Sequence, residues 1–237
     1  MEIFNEWLVF SLILFGIWLI IFLFRKNLKK EMFLVSLFTM PFGLTEPLFV
    51  PEYWNPPSLF NLAATTGFDI ESMIFSFAIG GIGSVLYGVF FKTRQAKMSH
   101  QEMRSKRHRF HLLALFSPII IFLMLWLLTS LNPIYSASMA MLIGGVATLL
   151  CRPDLKKEIW VGGILFLLLY FIFFFFFILV YPYSVANFWN LSAISGILVL
   201  GIPIEELMFA FSYGLMWSSV YEHVLWYKSK DRNQLQK

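Results

Sequence analysis

Long apolar stretches alternate along the chain with short polar punctuation. A membrane-spanning helix needs about 20 mostly apolar residues, and seven segments answer to that description: residues 7–24, 32–50, 67–91, 110–130, 134–151, 159–181 and 203–227. The punctuation is strongly basic. All 18 Lys and Arg fall into four groups, at 25–30, 92–109, 152–157 and 228–237. Lys and Arg accumulate in cytoplasmic loops, and seven spans place all four groups on one face, with the N-terminus outside and the C-terminus in the cytoplasm. The fold class expected is all-α integral membrane, a multi-pass protein of a prokaryotic plasma membrane with the lipid bilayer as its partner. The first span is too long, and too poor in preceding basic residues, for a cleaved signal peptide; it reads as an anchor.

Composition agrees. Hydrophobic residues make up 59% of the 237 and charged residues 14%, against about 45–50% and about 25% in soluble domains. A soluble enzyme, a disordered chain and a nucleic-acid binder are excluded on that ground, and the net charge of +4 becomes a topology signal. The single cysteine, Cys151, excludes a disulfide framework and a thiolate-cluster metal site. His100, His108 and His111 sit in the basic loop or at its edge and show no ligand spacing, so no metal is expected. Gly81-Ile-Gly83 ends in Leu86 rather than in a third glycine, so no nucleotide cofactor is expected either.

The chain repeats itself. Arg25-Lys-Asn-Leu-Lys-Lys-Glu31 returns as Arg152-Pro-Asp-Leu-Lys-Lys-Glu158, and Tyr53-Trp54-Asn55 returns as Phe188-Trp189-Asn190. The segment from Phe68 to Phe77 matches that from Ile202 to Phe211; at the same offset of 134 residues Gly80 matches Gly214, Ser84 matches Ser218 and Tyr87 matches Tyr221. Apolar helices resemble one another by composition, but composition does not repeat a polar loop, a Trp-Asn pair and an Ile-Glu pair in the same order. We read one membrane domain over 1–237: repeat one 1–91, a linker helix region 92–130 and repeat two 131–237. Three spans, one, then three make the repeats parallel, with a pseudo-twofold axis along the membrane normal. Glu71 and Glu205 are then expected at equal depth, facing each other across the repeat interface.

Chemistry enters with the acids. Glu46, Glu52, Asp69, Glu71, Glu205 and Glu206 all fall in the outer half, where the pattern puts no Lys or Arg. An acidic side chain in or near hydrocarbon is a functional hypothesis by default. Burial without a cationic partner disfavours the charged carboxyl, which suits a general acid. Each residue also has a plainer reading. Glu52 lies in a Pro-rich loop and reads as solvated; Asp69 is either a helix N-cap or a site acid. Glu46, between Thr45 and Pro47, either satisfies backbone amides freed by the proline or points into the bundle. Glu222 reads as interfacial. Phe209, Tyr213, Trp217 and Tyr221 follow at successive i+4 positions and share a helix face. That face is either a packing stripe or a cation-stabilising wall. Phe209, Tyr213, Trp217, Trp54, Trp189 and Phe75 are the candidate substrate contacts. The Phe171–Phe177 run reads as lipid contact. Gly80, Gly81, Ser84 and Gly88, with Ala137, Ala140 and Gly144, read as close helix approaches.

At Gly201-Ile-Pro-Ile-Glu-Glu206, followed by Phe209 and Phe211, the sequence resembles the integral-membrane lycopene cyclase domain family. The resemblance covers most of the chain as a duplicated three-span unit. The first copy reads Asp69-Ile-Glu71-Ser72, without the proline and second glutamate, and Thr45-Glu46-Pro47 stands where the family usually has Trp-Asp. The resemblance implies cyclisation of the ends of lycopene to β-ionone rings without net redox change and without a cofactor. Glu205 and Glu206 match the family motif, and Glu71 matches its first glutamate. It implies Glu205 or Glu206 as acid and Glu71 as base or symmetric partner, with Glu46 and Asp69 as further candidates. The substrate is then an apolar polyene or another polyprenyl chain, with self-association left open. The rival from another class is a proton-coupled transporter of the same 3 + 1 + 3 repeat architecture. A retinal protein is excluded because residues 201–227 hold no lysine.

Overall fold

The computed structural model describes residues 5–91 and 93–231, with the backbone alone for 93, 94 and 229–231. Lys92, Arg232 and Lys237, which belong to the basic groups, lie outside the described residues. The protein is mostly helical: α1 Glu6–Phe24, α2 Lys29–Thr39, α3 Leu62–Thr66, α4 Ile70–Phe91, α5 His100–Met103, α6 His111–Leu128, α7 Pro133–Cys151, α8 Lys156–Val180, α9 Ser184–Phe188, α10 Ile204–Trp217 and α11 Val220–Leu225. Among the described residues there are also four short strands, β1 Thr93–Lys97, β2 Leu198–Val199, β3 Ile202–Pro203 and β4 Tyr227–Asp231, and several 3-10 segments.

Among the described residues five helices are long and apolar enough to cross a membrane: Glu6–Phe24, Ile70–Phe91, Lys106–Leu128, Pro133–Cys151 and Pro153–Val180. The other two expected spans are broken. After Thr39 the second continues as a 3-10 helix, Met40–Leu48; Pro41 and Pro47 lack the amide hydrogens that an α-helix needs in its interior. The last divides at Ser218–Ser219 into α10 and α11. The long basic loop is not structureless. β1 pairs antiparallel with β4, and α5 carries a capping box in which Ser99 and Glu102 satisfy each other's backbone amides. A five-residue strand of polar residues leaves too little alternation for its pattern to be seen.

Contacts divide the chain into two compact units. The first takes residues up to Ile82, Asn132–Ile134 and Leu168–Met208; the second takes Gly83–Leu131, Tyr135–Leu167 and the rest from Phe209. The units are not the repeats, since each draws on both copies and the division falls inside α4, α7, α8 and α10.

In the first unit α1 buries Trp7, Phe10, Leu14 and Trp18, a spacing that keeps one helix face inward. Of the expected close approaches, those at Gly80 and Gly81 are present here: a Cβ on Gly80 would sit 1.9 Å from Thr39 Oγ1, and one on Gly81 would sit 2.2 Å from Ser36 Oγ. Trp18 Nε1 donates to that same Ser36 oxygen at 2.8 Å. In the second unit Leu155, Ile159 and Leu215 form the core, and Gly214 lets α10 approach Phe166 of α8, whose Cβ would lie 2.5 Å from an added one. Of α6, the expected linker span, only His111 and Ala114 are buried.

Candidate active site

The two helices that begin with the repeated Ile-Glu start alike. Glu71 is the second residue of α4 and Glu205 the second of α10. Each reaches back to the loop before its helix: Glu71 Oε1 accepts from the Leu59 amide at 2.6 Å, and Glu205 Oε1 accepts from the Ser195 amide at 3.0 Å. Glu71 also receives Asn5 Nδ2 at 2.8 Å. The loops themselves are joined by the repeated Trp-Asn motif. Asn55 N donates to Phe188 O at 2.7 Å and Asn190 N donates to Tyr53 O at 2.9 Å, a reciprocal pair that makes Trp54 and Trp189 an antiparallel bridge.

Three acids of the first copy gather. Asp69 caps α4, its Oδ1 accepting from the Ser72 amide, so the capping reading is met. Glu46 stands in the field of Asp69 and Glu71, with Ser72 and Trp54 facing it. Gly43 makes this approach achievable: a Cβ there would lie 2.6 Å from Met73 N and 2.7 Å from Met73 Cα, in the backbone of α4. Only a residue without a side chain lets the 3-10 segment press so closely on that helix. All three acids are buried, and each keeps one oxygen without a hydrogen-bond partner: Glu46 Oε1, Asp69 Oδ2 and Glu71 Oε2. Among the described residues no Lys or Arg pairs with them.

Glu206 is arranged differently. Its Oε1 accepts from the Tyr53 hydroxyl and from Trp189 Nε1 at 2.9 Å; its Oε2 accepts from the Tyr170 hydroxyl at 2.7 Å. Three buried donors converge on one carboxylate. Around these groups runs an aromatic network within the same unit. Trp7 meets Trp54 edge-on at 4.5 Å and Phe75 at 5.2 Å, Phe10 lies 6.3 Å from Tyr170, and Phe174 lies 5.5 Å from Trp189.

One comparison decides the kinship. The sequence model of a family described as Lycopene cyclase matches the chain over residues 5–90 and 132–224. The chain belongs to the lycopene cyclase family. The two matched segments leave out the region between them, where the basic loop and α6 lie. No curated protein and no solved structure matches.

Of the site residues expected in this lycopene cyclase family member, Glu46, Asp69, Glu71, Glu205, Glu206, Trp54, Trp189 and Phe75 all fall in the first unit. Phe209, Tyr213 and Trp217 fall in the second, as a ladder with ring spacings of 5.4 and 5.7 Å. There Gly83 packs onto it, an added Cβ lying 3.1 Å from the Tyr213 ring, so α4 covers this face. Glu52 is exposed. Glu222 is buried within the protein, 5% exposed, and accepts Gln95 Nε2 at 2.8 Å. Tyr53, Tyr170 and Trp7 were not among the expected residues. A lone hydroxyl in the apolar run of α8 was the available signal for Tyr170, since a buried tyrosine needs a partner for its O–H.

Proposed function

We propose that the protein cyclises the end of a linear polyene by proton transfer, without redox change, and that Glu46, Asp69 and Glu71 hold the reacting protons. Family membership supports a carotenoid cyclase-like role in general and favours it over the transporter. One observation carries the finer reading: three buried acids lie together, each with an oxygen that no donor meets in good hydrogen-bond geometry. An alkene is a feeble base and competes poorly with a protein acceptor for an O–H. A carboxylic acid whose O–H is bound by nothing else is therefore the kind that protonates carbon. Glu206 fits this task less well, because Tyr53, Tyr170 and Trp189 already occupy its oxygens; we assign it to holding the loops.

The sequence of events balances without a co-reactant. A carboxyl proton adds to the terminal trisubstituted alkene, and the electron pair of the neighbouring alkene forms the ring bond to the resulting cation. A carboxylate of the same group then removes a proton from the ring carbon next to the new cationic centre, restoring an alkene. The rings of Trp7, Trp54 and Phe75 offer faces to the cation, an attraction of about 2 kcal/mol or more where water is excluded. The substrate reaches the site from the lipid bilayer, in a protein that crosses the cell membrane several times.

The test is expression in a lycopene-accumulating host, with pigments separated by chromatography. Wild type yields cyclic product, and membranes given preformed, unlabelled lycopene in heavy water add one deuterium per ring formed. Glu46→Gln lowers the yield by about 10²-fold or more, the loss expected for a general acid. Unaltered linear pigment with wild-type protein present in the membrane would sink the cyclase reading. Unchanged product in Glu46→Gln, Asp69→Asn and Glu71→Gln would remove the acid trio.

A further inference from the structure

The second unit contains a donor set that the cyclisation does not use. His108 lies in the 3-10 turn Lys106–Phe110 and His111 is the first residue of α6, while Cys151 ends α7. Their ligating atoms all lie within 4.8 Å of one another. Cys151 Sγ is 3.6 Å from His108 Nδ1 and 3.8 Å from His111 Nδ1. We propose that His108, His111 and Cys151 form a binding site for a borderline-soft divalent metal ion of the Zn2+ type.

Three features of the geometry support it. Zn–S and Zn–N bonds of about 2.3 and 2.0–2.1 Å at the tetrahedral angle put sulfur and nitrogen about 3.6 Å apart. Both sulfur–nitrogen separations found here come close to that. Second, hydrogen bonding alone accounts poorly for the arrangement. One S–H can donate to one imidazole nitrogen, and the other histidine must then offer an N–H to a weakly accepting sulfur. A metal ion uses all three lone pairs at once. Third, the set has orienting neighbours and a way in. The Trp226 ring stacks on His111 at 3.9 Å. His223, its ring 4.6 Å from that of His111, keeps a buried Nε2 with no partner. His108 and Cys151 line a cleft of about 360 Å³ through which an ion can enter.

The charge balance is tolerable. Arg152, fully buried beside Cys151, is neutralised by Asp154 through two bonds of 2.9 and 2.7 Å. It also donates to the carbonyls of Glu222 and Tyr227. Ligands with a thiolate and two imidazoles suit Zn2+ among the common divalent ions, and Co2+ takes the same geometry with a visible spectrum. A bound ion ties the start of α6 to the end of α7.

The experiment uses the full chain in detergent with a purification tag free of histidine. Co2+ is expected to bind at about one ion per chain, with a sulfur-to-cobalt charge-transfer band and tetrahedral d–d bands that Zn2+ abolishes by displacement. Cys151 is the sole thiol, so maleimide labelling reads the site directly in the wild-type protein. Stoichiometric Zn2+ is expected to slow labelling at least about tenfold, and a chelator to restore it. Cys151→Ser is expected to lose the charge-transfer band, and His108→Gln, at a half-exposed position, to weaken Co2+ binding at least about tenfold. Labelling indifferent to Zn2+, or a charge-transfer band that survives Cys151→Ser, overturns the proposal. None of these readouts depends on the cyclase reading.

Discussion

The starts of α4 and α10 are the same motif put to two uses. At the second helical position both have a glutamate that holds the amide of the preceding loop, Leu59 in one case and Ser195 in the other. At the next position they part. Ser72 follows Glu71, leaving room for Glu46 to approach, while Glu206 follows Glu205 and is bound by two tyrosines and a tryptophan. At the position before the shared isoleucine, Asp69 caps its helix and Pro203 ends a strand. The frame is common to the two helix starts; the difference lies in how the acid oxygens are occupied. In the proposed reaction Glu206, its oxygens taken, serves as a structural joint, and the acids grouped around Glu46 supply the reagent.

The strongest way to break this comparison is to exchange the expected losses. Glu46→Gln should cost about 10²–10⁴-fold in cyclic product with unchanged thermal stability, whereas Glu206→Gln should stay within about tenfold. In that variant the tyrosine hydroxyls can turn to accept and the side-chain carbonyl still receives Trp189. An acid role for Glu206 would show as the reverse order. Glu206→Ala tests the joint itself. It strands three buried donors at about 1–3 kcal/mol each, so the detergent-solubilised protein should melt markedly lower, by differential scanning fluorimetry.

Gly43→Ala sharpens the geometric half of the argument. The added methyl meets the backbone of α4, which cannot swing aside, and overpacking of this kind costs about 1–3 kcal/mol. Product yield should fall more than stability alone explains, since Glu46 is pushed away from its neighbours; equal losses in both would make the glycine merely a packing residue. Glu205→Gln should be mild. Its amide oxygen can still accept from Ser195, so a loss of about 1 kcal/mol or less in unfolding measurements is expected.

The smallest effect belongs to the basic side. Lys228, and then the Ser99 amide, hold the Glu102 carboxyl down at about 2, from an ordinary value of 4.5. A depressed value means that the ionised form favours the folded state. The contribution is whole above about pH 4.5 and fades as the pH falls towards 2. Glu102→Gln should remove that acid dependence from a proteolysis titration of the β1–β4 region.

The long apolar helices were legible in the sequence because span length and charge segregation are strong, one-dimensional signals. So was the motif pairing: Trp54 and Trp189 were matched by repetition, and they meet in the fold. The break in the second span was legible at Pro47, but a proline marks a helix fault without saying what the fault brings near. The clamp on Glu206 was not legible. Tyr53 and Tyr170 are 117 residues apart and nothing local links them. The same holds for Cys151 with His108 and His111: the histidines by themselves were read as showing no ligand spacing, and the third donor comes from a different helix. Side chains that meet through tertiary packing leave no periodic trace.

The reciprocal bonds between Asn55 and Phe188 and between Asn190 and Tyr53 are isologous, each copy offering the other what it receives. Such an edge is self-complementary. It specifies its partner by shape and bonding rather than by covalent continuity, so two separately translated halves would carry everything needed to recognise each other at this point. The peptide between the copies then sets their effective concentration, and the loops supply the handshake.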